Sequence, residues 1–400
     1  MKSGNCRTSQ GVMRTSTRNQ TARGFSLVEL ILAMTVLTGI LLMFVGLLDQ
    51  TQKTWDYSRT QISQFREARV AFDIMTKNLS QATLNPYFEQ IDRNGKRSSD
   101  FVDPADFFPV AYDLQAELHF RVMRAQQLNA AGMLSVGPGH AIFFQAPLGS
   151  TADQRYSSLT NLLNGRGYFV AYVEDAAFRP AFLNGMNVET RKRYRLMEFI
   201  PPTEENQVYA AAFEAETDGG SSPGVRSNWI TVPLGASGQM GTVRPLAENI
   251  VALIVSPRQP VADASGAVFR ANNASQLRLS DQIATQMVAP NYVFDSAIPT
   301  GGGWPKHTLP PLVQLTMVAI DDISAMRLEE RYGDNYMTRF LSPNSWTAAD
   351  SYHADLAALA NALESEAAAP DGVRVNFKVF SSTVRINGAK WTATQMATNP

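Results

Sequence analysis

The sequence predicts an α+β protein. A long N-terminal helix, membrane-spanning in its first half and amphipathic in its second, packs on a large antiparallel β-rich domain. Three observations predict it. Leu30 to Leu48 is a run of nineteen residues without a charge. Helical spacing of apolar residues continues past that run, and no proline occurs before Pro86. After residue 85 the pattern changes to short alternating runs separated by turn residues.

Composition bounds the function classes. Apolar residues are 44% and charged residues 18% of 400, which supplies a core and excludes a disordered or collagen-like chain. Lys plus Arg is 35 against 36 Asp plus Glu, a net charge of −1, so nothing global points to nucleic acid. A mean hydropathy of −0.16 excludes a polytopic membrane protein and leaves room for one span. Residues 1–24 stand apart: they carry Lys2, Arg7, Arg14, Arg18 and Arg23 and no acid. The only cysteine, Cys6, lies there too. A chain that loses this stretch holds together by packing alone.

The apolar stripe begins at Phe25. About 20 apolar residues at 1.5 Å per residue cross a 30 Å hydrocarbon layer. The run is longer than the core of a secretory signal, and no small-x-small cleavage site follows it. Asp49, Lys53, Trp55, Tyr57 and Arg59 follow instead, residue types suited to the membrane–water boundary. The basic stretch stays cytoplasmic and the bulk of the chain faces outward. The competing reading is a buried core helix, which is rarely apolar all round at this length.

Glu29 breaks the pattern, five places into the stripe. A carboxylate in hydrocarbon is expensive and takes a partner. No basic side chain lies within the stripe. Two readings remain: pairing with an α-amino group exposed by a cut just before Phe25, or snorkelling of Glu29 to the head groups.

Arg23-Gly24-Phe25-Ser26-Leu27-Val28-Glu29-Leu30 with its apolar continuation resembles the processing and assembly motif of type IV prepilins and type II secretion pseudopilins. The resemblance implies cleavage between Gly24 and Phe25 by a prepilin peptidase, methylation of the Phe25 amine, and Glu29 meeting the N-terminus of an adjacent subunit. The implied partners are that peptidase, other pilin-like or pseudopilin subunits and inner-membrane lipid. The implied location is the inner membrane, single-pass, with the C-terminal domain periplasmic. The segments are then a leader (1–24), a transmembrane helix (25–48), an amphipathic extension (49–85) and an extracytoplasmic β-rich domain (86–400).

In the extension, Ile62, Phe65, Phe72, Met75 and Leu79 recur at helical intervals with Ala68 between them. Gln61, Gln64, Arg66, Glu67, Asp73 and Lys77 occupy the other face. Pro86 after Asn85 ends the helix.

Beyond it the expected strands are 118–124, 141–147, 167–175, 193–200, 228–234, 249–256, 312–320 and 373–380. Two late helices are expected. One is Ile323 to Arg331 with Asp322 as N-cap, and the other is Ala349 to Ala368, stopped by Pro370. Residues 85–110, 217–224 and 256–311 read as loops. The order of elements, with Phe72 to Ala82, LAENIVALIVSP and LPPLVQLTMVAID, resembles the J-type minor pseudopilins. The whole resembles the C protein of the Verru_Chthon cassette, a prepilin-like family whose task is unassigned.

Catalytic and metal motifs are missing from the sequence. His119, His140, His307 and His353 have no ligand neighbour at i+3 or i+4. His119 reads as a packed or rim residue. There is no G-x-S-x-G elbow and no P-loop. Asp321-Asp322 and the pair Asp103 and Asp106 are carboxylates in reach of a cation such as calcium, but lack the alternating ligands of an EF-hand, so a helix cap or turn is the default. Arg191-Lys192-Arg193 with Arg195 is the densest basic run after the leader and reads as one solvated face of a strand. The expectation is a structural or assembly subunit near a filament tip, with no reaction, cofactor or nucleic acid of its own. The alternative is a membrane-tethered adhesin or secretion receptor with no filament role, its ligand loops in 256–311.

Overall fold

A computed structural model describes residues 27–129, 137–180, 182, 186, 188–217, 223–235, 242–260, 285–299, 304–341, 345–366, 368 and 372–389. The leader, Gly24 and Phe25 lie outside the described residues, as does most of 217–224. The chain divides into two compact units, Met1–Thr60 and Gln61–Pro400, with the boundary inside the first helix.

In the first unit the described chain is helical. Helix α1 runs Leu27–Ser80. Its portion Leu27–Val45 has a hydropathy of 2.4 and is wholly uncovered. This is one apolar helix long enough to span a membrane.

The second unit is an α+β domain. Its strands are β1 (Tyr87–Ile91), β2 (Ala111–Gln115), β3 (Arg121–Arg124), β4 (His140–Pro147), β5 (Leu163–Glu174), β6 (Lys192–Phe199), β7 (Val243–Glu248), β8 (Ile250–Pro260), β9 (Thr285–Met287), β10 (Phe294–Asp295), β11 (Leu312–Ile320) and β12 (Phe377–Arg385). Its principal helices after α1 are α2 (Val208–Thr217), α3 (Asn228–Gly235), α4 (Asp322–Tyr332) and α5 (Tyr352–Glu366). One sheet has the order β10-β3-β4-β5-β6-β7, another β12-β11-β8-β9, and β1-β2 form a separate arm. Among the described residues every strand pair is antiparallel, and the single parallel contact there is an isolated bridge from Gly139 to Leu253.

Helices cover both faces of each large sheet. Directly opposed residues of neighbouring strands share a face. Phe380 opposes Met317 and Ser381 opposes Thr316, so these pairs mark opposite faces of the four-stranded sheet. Phe72 of α1 packs on Phe380, with ring centroids 6.0 Å apart. Tyr352 of α5 bonds Thr316 at 2.7 Å on the other face. That double cover explains why β11 is buried at every position. In the six-stranded sheet, Asn78 of α1 donates to the Tyr168 hydroxyl at 2.8 Å. Trp229 of α3 packs edge-on to Phe143 on the opposite face. Gly167 opposes Phe143, and any Cβ there would lie 2.2 Å from the ring. The glycine lets that ring lie across its neighbour.

The apolar stripe of α1 is buried as its spacing predicts: Ala68, Ala71, Phe72, Met75 and Leu79 are at most 6% exposed. Ile62 has its side chain outside the described residues.

Four expectations need correction. Residues 228–234 form helix α3, not a strand. In a strand Ile230, Val232 and Leu234 would share a face, but Ile230 is fully buried while Val232 is 52% exposed. The last strand begins at Phe377, four residues later than its alternation suggests. Val373 and Val375 are buried without pairing, because Asn376 is tied to Asp321 and Ser324 of the neighbouring helix start. The N-cap of α4 is Asp321, which accepts from the Ser324 amide at 2.7 Å, and Asp322 is the first helical residue. The loops 85–110 and 256–311 hold ordered pairing: β1 lies in the first, and the end of β8, β9 and β10 lie in the second. Residues 261–284 and 300–303 of the second lie outside the described residues.

Candidate functional site

Of the processing and assembly residues, Glu29 alone is described. It stands in the first turn of α1. A shallow groove of the helix surface runs along Glu29, Leu32, Ala33, Val36, Leu37 and Ile40. Those positions repeat at three, four, seven, eight and eleven residues, which is one helical face. The carboxylate therefore heads an apolar stripe of the helix.

The basic run at 191–195 was expected to lie on a solvated face, and the structure overturns that. Arg193 is 6% exposed and Arg195 2%. Acids distant in sequence neutralise both. Arg195 grips Glu248 through Nε at 3.1 Å and Nη2 at 3.0 Å, and donates from Nη1 to the Val173 carbonyl at 2.6 Å. Arg193 pairs with Asp322, lies 3.9 Å from Glu248 and donates to the Asn249 side chain at 3.4 Å. Asn249 has a left-handed φ of 58° at the β7–β8 junction, a conformation asparagine tolerates well. The run thus fastens β6 to that junction and to the start of α4. It lines a polar cleft of about 540 Å³ with Glu67, Asp175 and Glu189.

The carboxylate pairs separate in the fold. Asp321 caps α4 and accepts from Asn376 at 2.8 Å, while Asp322 turns to Arg193. Asp103 caps a short turn through the Ala105 amide at 2.9 Å. Among the described residues no group of three or more His, Cys, Asp or Glu is placed to hold a metal.

His119 is fully buried and sits in a network whose members are 176 and 110 residues away in sequence. Its Nδ1 accepts from the Trp229 indole at 3.1 Å, which places a proton on Nε2 for donation to Asp295 at 2.7 Å. Burial pushes the Asp295 carboxyl up, but His119, the Ala297 amide and Arg121 outweigh it and hold it below the usual range. With both ring nitrogens engaged, His119 has no lone pair left to take a proton from a nucleophile. His140 is also enclosed: Nδ1 accepts from the Val255 amide at 3.1 Å and Nε2 lies 3.1 Å from the Trp346 carbonyl. Burial is the main cause pushing its pKa down to about 4.

Sequence reasoning missed a buried charge ladder. Glu198, 1% exposed, receives Arg166 at 3.2 Å, the Tyr168 hydroxyl at 3.0 Å and Arg244 at 2.8 Å. Tyr168, Glu198 and Arg244 are directly opposed across β5, β6 and β7. A glutamate between Met197 and Phe199 carries no signal in one sequence that sets it apart from a surface residue.

No family model, curated protein or solved structure matches the chain.

Proposed function

We propose that the chain is a prepilin-type subunit of a type IV pilus-like or type II secretion-like assembly. It is cut after Gly24 by a prepilin peptidase, methylated on Phe25 and held in the inner membrane by α1, with the β-rich domain on the periplasmic side. Its role is structural, in a J-type, minor-pseudopilin manner, beside other pilin-like subunits; the chain is a substrate of processing and performs no reaction of its own.

The observation that carries the reading is the single acid in the stripe. Glu29 follows the Arg23-Gly24-Phe25 junction and heads an apolar helix face that is exposed among the described residues. A chain end freed at Phe25 would place a cationic group in reach of this carboxylate, and charge pairing is favoured in a low-dielectric bundle. The burial of Arg193 and Arg195 against acids supports a role without nucleic acid, since neither guanidinium is presented to a phosphate backbone.

The test is intact-mass measurement of the mature chain from hosts with and without an active prepilin peptidase. Loss of residues 1–24 and gain of one methyl only with the peptidase is the expected outcome. An intact Met1 start in a peptidase-competent host refutes the proposal.

A further inference from the structure

The β1–β2 arm pairs with no other strand among the described residues. Phe88 opposes Leu114 and Tyr112 opposes Gln90, so Phe88 and Tyr112 share one face. Each is 68% exposed, and Phe108 and Val110, just ahead of β2, are 74% and 56% exposed. Large apolar side chains grouped in water in this way mark an interaction surface. The loop joining the strands holds Asp92, Asp100, Asp103 and Asp106 against Arg93, Lys96 and Arg97, a net charge of −1, with Asp103 and Asp106 together beyond its cations. Arg97 serves Glu89 and Asp100, and Lys306 serves Asp113, but Asp103 and Asp106 have no ion pair among the described residues.

A surface of matching chemistry lies on the outer face of α1. Arg66, Arg69, Val70, Asp73 and Lys77 fall on one helical stripe, opposite the buried Met75 and Leu79. Three cations against one acid make the stripe basic. Arg66, Arg69 and Lys77 have no ion pair among the described residues, and Val70 is 51% exposed. Guanidinium groups and their aliphatic stems pack well on aromatic rings.

We infer that the β1–β2 arm of one copy docks on the residue 66–77 face of α1 in a second copy. Phe88 and Tyr112 cover Val70 and the arginine stems, and the Asp103–Asp106 loop faces the cations. The two surfaces differ, so the contact is heterologous and its repetition builds a row rather than a closed pair. The inference rests on the assembly reading, which supplies the membrane that holds copies side by side.

The experiment uses the full chain in cell membranes with Cys6→Ser. Val70→Cys and Tyr112→Cys are carried on separate, differently tagged copies and oxidised. The mixed 70–112 dimer is expected to exceed the 70–70 and 112–112 dimers about fivefold. Arg66→Glu with Arg69→Glu should lower it about tenfold, since like charges across a contact are costly. Asp103→Lys with Asp106→Lys on the other copy should restore it, which a folding defect would not allow. Equal yields in all three combinations, cross-links only to another protein, or no loss on charge reversal overturn the inference. The N-terminal mass is read on the same samples. A processed chain that fails to cross-link sinks this inference alone, and a cross-linked chain with an intact leader sinks the processing reading alone.

Discussion

Glu198→Ala is expected to be among the most damaging single substitutions in the domain. The carboxylate is 1% exposed and accepts from Arg166, Tyr168 and Arg244. These donors have different stakes. The Arg244 side chain is 59% exposed and water can replace its partner, so its share is about 0–1 kcal/mol. Tyr168 keeps the bond it receives from Asn78 and loses about 1 kcal/mol. Arg166 is 4% exposed. Burial already lowers its affinity for its proton, and Glu198 is the main group opposing that. Stranding a buried charge costs about 3–5 kcal/mol, so Arg166 dominates. The sharper consequence is a sign reversal. Arg166→Met combined with Glu198→Leu removes both charges and fills the space with apolar atoms, so the double variant should be more stable than Glu198→Ala alone. Guanidinium chloride unfolding of the full chain in detergent, followed by tryptophan fluorescence, measures both. A loss under about 1 kcal/mol for Glu198→Ala, or a double variant worse than the single one, refutes the reasoning.

Three further outcomes are expected. Burial holds the His140 and His307 imidazoles down to about 4, so the unfolded chain gains protons below pH 6.5 that the folded chain refuses. Stability should therefore be full above pH 6.5 and fall by roughly 3 kcal/mol per histidine as pH drops toward 4; a urea midpoint that stays flat from pH 7 to 5 contradicts this. Gly139 has φ of 105°, and a Cβ there would lie 2.2 Å from the Leu253 carbonyl oxygen. Gly139→Ala should thus cost about 2–5 kcal/mol in the same unfolding assay, and a neutral variant would show the contact is soft. On the proposed processing and assembly, Glu29→Ala should leave cleavage after Gly24 largely intact while impairing co-assembly with pilin-like subunits. Pull-down from solubilised membranes reads this, and unchanged recovery removes Glu29 from the assembly argument.

What the sequence made legible follows from where its signals are strong. Runs such as Ile250–Val255 and Leu312–Ile320 are apolar at nearly every position, and both became strands covered on two faces. The stripe of α1 was readable because its period of 3.6 persists over several turns. The failures have a common cause. Trp229 to Leu234 is rich in residues that favour strands, but α3 is set by one large contact, Trp229 against Phe143, Phe199 and His119, and a tertiary contact overrides weak local preference. The choice between Asp321 and Asp322 as cap turned on a partner, Asn376, some fifty residues downstream. The His119–Asp295 pair was invisible because nothing in the local pattern of either residue names the other.

The same distinction decides which charges face a partner. Arg191, Lys192, Arg193 and Arg195 are dense along the chain, but the fold brings Asp322, Asp334 and Glu248 to them from elsewhere. Arg193 and Arg195 thereby become structural fasteners, screened from salt by burial. Arg66, Arg69 and Lys77 are spread over twelve positions of a helix, an unremarkable pattern in sequence, and the fold leaves them together on an exposed stripe. Phe88 and Tyr112 likewise lie more than twenty residues apart and meet only through the register of the arm. Charges that have already found partners inside the fold have little left to offer outside it. An interface on this domain is therefore better sought at the sparse, unpaired charges beside exposed rings than at the densest basic run. Such an interface weakens as salt rises, because its ionic half is exposed before docking, while the aromatic half holds.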